Sequence, residues 1–161
     1  MESFESQHCP CACGKSVVIV KALPRMRYYC HCLTCQEFCQ SPFSDNTALR
    51  AEEVEIVDES TIEFKKHQKN AVVDRGVCKH CRSPVVGFAL LLPGVKAAFV
   101  PGSHYPNQAA LPNPNRHIFC HRRVKDVPDS LTKHSGAFFS QAVMVPKMML
   151  SMLRKPGANA A

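Results

Sequence analysis

The sequence predicts a mainly β, single-domain fold, a small sheet structure finished by a C-terminal helix. Three observations carry that expectation. Short segments rich in Val, Ile and Phe are punctuated by twelve prolines and seven glycines, nine of the ten cysteines fall in tight groups, and one apolar run near the end has helical spacing. At 161 residues the chain has the usual size of one domain, 1–161, and buries a core without needing crosslinks.

Taken in order, strands are expected over residues 16–20, 25–29, 43–50, 61–64, 71–77, 85–91, 96–100 and 117–122. Each is short, rich in β-branched or aromatic residues and bounded by turn formers. Residues 101–117, PGSHYPNQAALPNPNRH, hold four prolines and three asparagines, which excludes a helix or central strand. That segment is read as a loop, either a surface connection or the border of a site. Residues 137–155, AFFSQAVMVPKMMLSMLRK, form the expected C-terminal helical segment, with Pro146 kinking it or starting a second piece. Its Met144, Met148, Met149 and Met152 serve core packing, with a lid or homodimer contact as the alternative use. The last residues, PGANAA, are expected to fray.

The first thirty residues lack the basic start and apolar run of a secretory signal, and no stretch nears the roughly 18 apolar residues of a membrane span. The expectation is a soluble, cytoplasmic protein with no membrane partner. In a reducing compartment, clustered cysteines are read as metal ligands before disulfides. The formal charge is +7, but Lys and Arg are dispersed and seven thiolates around two divalent ions would shrink the excess. The short runs RRVK (Arg122 to Lys125) and Arg154–Lys155 are read as solvated faces. Aromatic residues do not interleave with basic ones, so no nucleic-acid partner is expected.

The cysteines carry the chemistry. CPCAC contains Cys9, Cys11 and Cys13; CHCLTC contains Cys30, Cys32 and Cys35; CKHC contains Cys78 and Cys81. Thiolates one or two residues apart share an ion from a tight turn, and two such turns complete a tetrahedron. Three groups of two or three ligands imply two Zn²⁺ per chain, one with a full shell and one with three protein ligands and an open fourth position. Spacing leaves the partition open, because Cys11 and Cys13 can join either Cys78 and Cys81 or Cys32 and Cys35.

CACGKSVV (Cys11 to Val18) resembles the C-x-C-G-x-V opening of the glutathione-dependent formaldehyde-activating enzyme family, which includes centromere protein V. CHCLTC resembles its C-H-C-x-x-C segment, CKHCRSPV its C-x-x-C-G-S segment, and HIF (His117 to Phe119) a tripeptide common there. The resemblance implies an Mss4-like sheet fold with a zinc-binding β core over 9–130. It assigns Cys11, Cys13, Cys78 and Cys81 to a structural zinc, and Cys30, Cys32 and Cys35 to a catalytic zinc with an exchangeable fourth ligand. His31 becomes a spacer. The implied activity is a zinc-dependent lyase reaction that makes or breaks a carbon–sulfur bond, as when glutathione adds to formaldehyde. The partner is then a small-molecule substrate such as a thiol adduct.

The segment CQEFCQSPF departs from the pattern, with Gln36 and Glu37 in place of a basic pair and Cys39–Gln40 where a glycine is expected. GSHY (Gly102 to Tyr105) stands for G-T-L-D, and the chain has no Trp. These changes beside the open zinc leave two substrates in view, a glutathione adduct and a larger, less charged molecule. Candidate catalytic residues are Glu37 as general acid or base, Cys39 as nucleophile or fourth ligand, and His104 and His117, with Tyr105, as proton donors at the pocket edge. A non-catalytic zinc-stabilised binding module is the alternative, and a permanently capped second zinc would favour it.

Overall fold

Alternating burial along short β-branched segments builds two sheets in this computed structural model, which describes residues 4–66, 69 and 71–154. Strands β1 (Gln7–Pro10), β2 (Val17–Val20) and β5 (Val54–Ile56) make an antiparallel three-stranded sheet. The larger sheet runs β11 (Thr132–Lys133), β10 (Arg116–Ile118), β3 (Met26–Cys30), β4 (Ser44–Arg50), β9 (Val95–Pro101), β8 (Pro84–Leu92), β7 (Val73–Cys78), β6 (Ile62–Lys65). Its pairs are antiparallel except β3 with β10 and β10 with β11. Two α-helices complete the chain, α1 (Leu33–Cys39) and α2 (Ala137–Leu153).

Period-two alternation gives the large sheet two cores. Leu49, Val85, Ala98 and Val100 face one way and pack with Val18, Val20 and Val54 of the small sheet. Their sequence neighbours Ala48 and Ala97 face the other way, with Met26, Tyr28 and Cys30, against Met144, Met148 and Met152 of α2. The small side chains of Ala48 and Ala97 leave room for unbranched methionines, each contributing about 1.5–3 kcal/mol by burial. The outward side of α2 carries exposed Phe138, Phe139, Leu150 and Leu153.

Two arginines fasten the end of α2. Arg50 Nε donates to the Met152 carbonyl at 2.6 Å, and Arg25 Nη1 donates to the carbonyls of Ser151 at 3.2 Å and Arg154 at 2.7 Å. Cations therefore satisfy the carbonyls that the helix leaves unpaired. Arg25 is held in turn by a buried ion pair with Glu53, whose carboxylate also accepts the Arg50 amide at 2.8 Å. A parallel clamp joins Arg27 to both oxygens of Asp45, at 3.0 and 2.7 Å. Gly102 makes that clamp feasible, because a Cβ there would overlap the Asp45 carboxylate.

All eight expected strands form, most within two residues of the expected ends. The exception is 117–122, which ends at Ile118 because Phe119 adopts a left-handed φ of 57° and a 3₁₀ turn follows over Cys120–Arg122. Strands β1, β5 and β11 and helix α1 were not expected. The expected loop 101–117 shortens to 102–115, with Pro101 ending β9 and Arg116 and His117 in β10, and it contains 3₁₀ turns at Gly102–His104 and Gln108–Ala110. Pro146 neither ends α2 nor splits it; it sits on the exposed side, as does Ala142, whose carbonyl loses its helical partner facing water. The helix stops at Leu153 with Arg154 as its C-cap. Lys155 and the PGANAA tail lie outside the described residues. No helix among those residues is long and apolar enough to cross a membrane.

The Arg25–Glu53 pair leads to a stability prediction. Removing one partner strands a buried charge, so Arg25→Ala should lower the unfolding free energy of the zinc-loaded protein by about 3 kcal/mol in urea. Lys21→Ala, which breaks the half-exposed pair with Glu55, should cost below about 1 kcal/mol. Equal losses in the two variants would contradict this account of how α2 is fastened.

Candidate functional site

The first sulfur cluster forms where two hairpin turns meet. Cys11 follows β1 and Cys13 lies in the turn to β2, closed by bonds from the Cys11 amide to Ser16 O at 2.8 Å and from the Gly14 amide to Cys11 O at 2.9 Å. Gly14 takes φ 77°, which glycine reaches without a Cβ penalty. Cys78 ends β7 and Cys81 lies in the turn to β8, where Arg82 takes φ 61°. The Ala12 amide donates to Ser83 Oγ at 3.2 Å, tying one turn to the other.

Cys11 and Cys13 sulfurs are 3.6 Å apart, those of Cys13 and Cys78 are 3.7 Å apart, and all four with Cys81 lie within 4.8 Å. A tetrahedral zinc with bonds of about 2.3 Å sets its sulfurs ~3.8 Å apart, so this cluster fits zinc and is far too open for a disulfide. Desolvation resists ionisation of Cys81, but hydrogen bonds from the Ser83 hydroxyl and from backbone amides outweigh it and bring this thiol down to about 5.

The second cluster lies on the opposite core face. Cys30 ends β3, Cys32 caps α1 and Cys35 sits in its first turn, so an extended residue followed by a helical turn wraps three sulfurs around one point. They lie within 4.8 Å of one another, and Cys32 Sγ accepts the Cys35 amide at 3.3 Å. Hydrogen bonds from the thiols of Cys30 and Cys35 hold Cys32 far below the ordinary thiol range, while Cys30 is pushed up. Such a donor set suits a soft-ligand zinc site. Cys39, one turn beyond Cys35, does not join the three sulfurs. The cluster opens onto a cavity of about 320 Å³ between the large sheet, α1 and α2. A separate hollow of about 370 Å³ by Phe64, Asp74, Phe88 and Lys96 has no cysteine or histidine in its lining.

Behind the second cluster, away from the cavity lining, His31 and His117 are both buried. His117 Nε2 lies 2.8 Å from Asp129 Oδ2 and its Nδ1 lies 2.8 Å from His31 Nε2. Burial holds His31 below the ordinary imidazole range, so it is neutral. With Nε2–H of His117 donating to the Asp129 carboxylate, Nδ1 accepts from His31 Nε2–H. With the His31 amide bonded to Ile118 O at 3.0 Å, this chain pins the one residue between Cys30 and Cys32.

The remaining candidates are dispersed. Cys39 lines the cavity, and burial pushes its thiol up to about 12. Glu37 is exposed on α1, outside the cavity lining. His104 is part-buried in the turn after β9, with Nδ1 unpartnered, and burial lowers its pKa. Tyr105 is buried and its hydroxyl meets Thr47 Oγ1 at 2.7 Å. The sequence reading passed over Arg75, Asp129 and the anchoring part played by His31. For Arg75 a signal was present, since a charged residue shares the face of Val73 within an otherwise inward-facing stretch of β7.

The family described as glutathione-dependent formaldehyde-activating enzyme matches residues 6–122, from before β1 to the turn after β10, and stops short of α2. A crystal structure of a Rhodobacter sphaeroides protein shares the fold, with a TM-score of 0.51 and 14% identity over 62% of this chain and 88% of that one. No curated protein is similar in sequence beyond chance.

The two clusters should respond differently to ligand loss. Cys11→Ser or Cys81→Ser should abolish folding, because the tie between two hairpin turns is lost; Cys32→Ser should bind one zinc fewer and keep its circular dichroism. A Cys32→Ser protein that retains both ions by metal analysis would refute the partition. His117→Leu should release the second zinc to a competing chelator with about tenfold or greater ease, leaving the first in place.

Proposed function

Because the chain belongs to the glutathione-dependent formaldehyde-activating enzyme family, we propose that it is a zinc-dependent lyase, making or breaking a carbon–sulfur bond at Cys30, Cys32 and Cys35. The observation that carries this reading is the number of donors. Three sulfurs, not four, converge beside a cavity, and Cys39 stays out of their cluster. Zinc held there would supply a Lewis-acid position at which a substrate sulfur keeps thiolate character.

The chain's own residues do the rest. Phe38, Phe119 and Met148 wall the cavity and keep water from the reacting sulfur. Cys39 is a neutral thiol at neutral pH and contributes to that wall. When a thiol adds to an aldehyde, the S–C bond forms as the C=O π bond breaks, and the sulfur's proton ends on the former carbonyl oxygen. Ser44 lines the cavity with its hydroxyl held by the Asn46 amide at 2.6 Å, and it is the hydroxyl placed to pass that proton. The reverse reaction returns it.

Exchange spectroscopy on mixtures of a thiol and ¹³C-formaldehyde tests the reading. The zinc-loaded protein should speed interconversion of aldehyde and thiohemiacetal, with Cys32→Ser losing at least about 100-fold of that acceleration. A folded, two-zinc protein that accelerates exchange for no thiol would leave the binding-module reading in its place.

A further inference from the structure

The cavity beside the second cluster is apolar out of proportion to the family's named co-substrate. Its walls include Tyr28, Val73, Leu91, Phe99, Phe119 and Met148, from the large sheet, the turn after β10 and α2. Among the described residues, Arg75 is the single charged side chain in the lining apart from the cysteines. Among the described residues it has no carboxylate partner, whereas Arg25, Arg27, Arg50, Arg82 and Arg123 each have one. Its guanidinium lies over the Phe38 ring at 5.8 Å, and its hydrogen bond to the Val73 carbonyl is long at 3.5 Å. A part-buried guanidinium with most of its five donors unused among the described residues, facing an apolar hollow, is built to receive an anion.

Resting on the lyase reading above, we propose that the substrate is a thiol, or its aldehyde adduct, with an aryl or branched alkyl body and a single carboxylate that binds Arg75. The size fits, since about 320 Å³ is at the lower end of small-molecule sites. The charge fits as well. Glutathione carries two carboxylates and an ammonium, and the cavity offers one countercharge, so entry would strip water from two groups that find no partner. Glu37, the acidic residue of the departing segment, is exposed and outside the lining, so it supplies no ammonium site.

Calorimetric titration of the zinc-loaded protein with 2-mercapto-3-phenylpropanoate, its primary amide and glutathione tests the assignment. The acid should bind at least about tenfold more tightly than either the amide or glutathione. Arg75→Gln should erase the difference between acid and amide while keeping two zinc ions per chain and an unchanged melting profile. Glutathione binding as tightly as the aryl acid, or a preference for acid over amide that survives in Arg75→Gln, would overturn the substrate class and leave the lyase reading standing. Failure of all three thiols to bind protein that holds both zinc ions would overturn both. The comparison of the three ligands on the unmodified chain decides the matter even where Arg75→Gln does not fold.

Discussion

The fold depends on the four-sulfur cluster that joins the turn after β1 to the turn after β7. These turns belong to different sheets, and the strands behind them share few hydrogen bonds other than Ala12 to Ser83 and Ser16 to Thr61. Packing holds the small sheet against the large one through Val18, Val20 and Val54, but apolar contact is non-directional and does not fix where a short three-stranded sheet sits. Four sulfurs at tetrahedral spacing would do so with a metal ion between them, because sulfur–metal bonds are short and angular. Once the small sheet is placed, one face of the large sheet is closed and the other is left for α2.

That division of faces separates the two sulfur clusters. β4 alternates its side chains between the two cores, and its neighbour β3 turns Met26, Tyr28 and Cys30 to the α2 side, while Cys11 and Cys78 lie on the small-sheet side. The second cluster therefore meets the part of the chain that lies beyond the family match, since Gln141, Val145 and Met148 of α2 line its cavity. A helix clamped at its end by Arg25 and Arg50 sets the shape of the wall opposite the three sulfurs. The fold and the ligand turns are the family's, and the pocket over them is partly this chain's own.

Period-two patterning and turn residues made the central strands legible, and ligand spacing made the sulfurs legible, because both are local signals. What escaped was non-local. β11 is two residues long and exists because β10 offers it an edge, and β5 is three residues that complete a sheet begun fifty residues earlier. Helix α1, LTCQEFC, has no buried residue and is only seven residues long, too short for periodicity to show it; its start is set by the Cys32 cap and its end by Gln40 at φ 49°. His31 read as a spacer because its partner His117 is 86 residues away and Asp129 a further twelve. Pro146 read as a helix breaker because sequence does not say which side of a helix faces water.

Charge placement links these points. The family pattern puts basic residues directly after the third cysteine of the open cluster, where this chain has Gln36 and Glu37. Gln36 uses its amide instead to bind the carbonyls of His31 at 2.7 Å and Arg122 at 2.8 Å, so that position fastens α1 to the turn after β10. The positive charge facing the cluster comes from β7, where Arg75 favours the ionised forms of Cys32 and Cys39 by its field. Three thiolates around a divalent ion carry one net negative charge, and a cation nearby offsets it without binding the metal. Moving that cation from the ligand loop to a strand puts it on the cavity wall, where it can meet a carboxylate of a bound molecule. A family reaction at the metal can then be kept while the molecule it acts on changes.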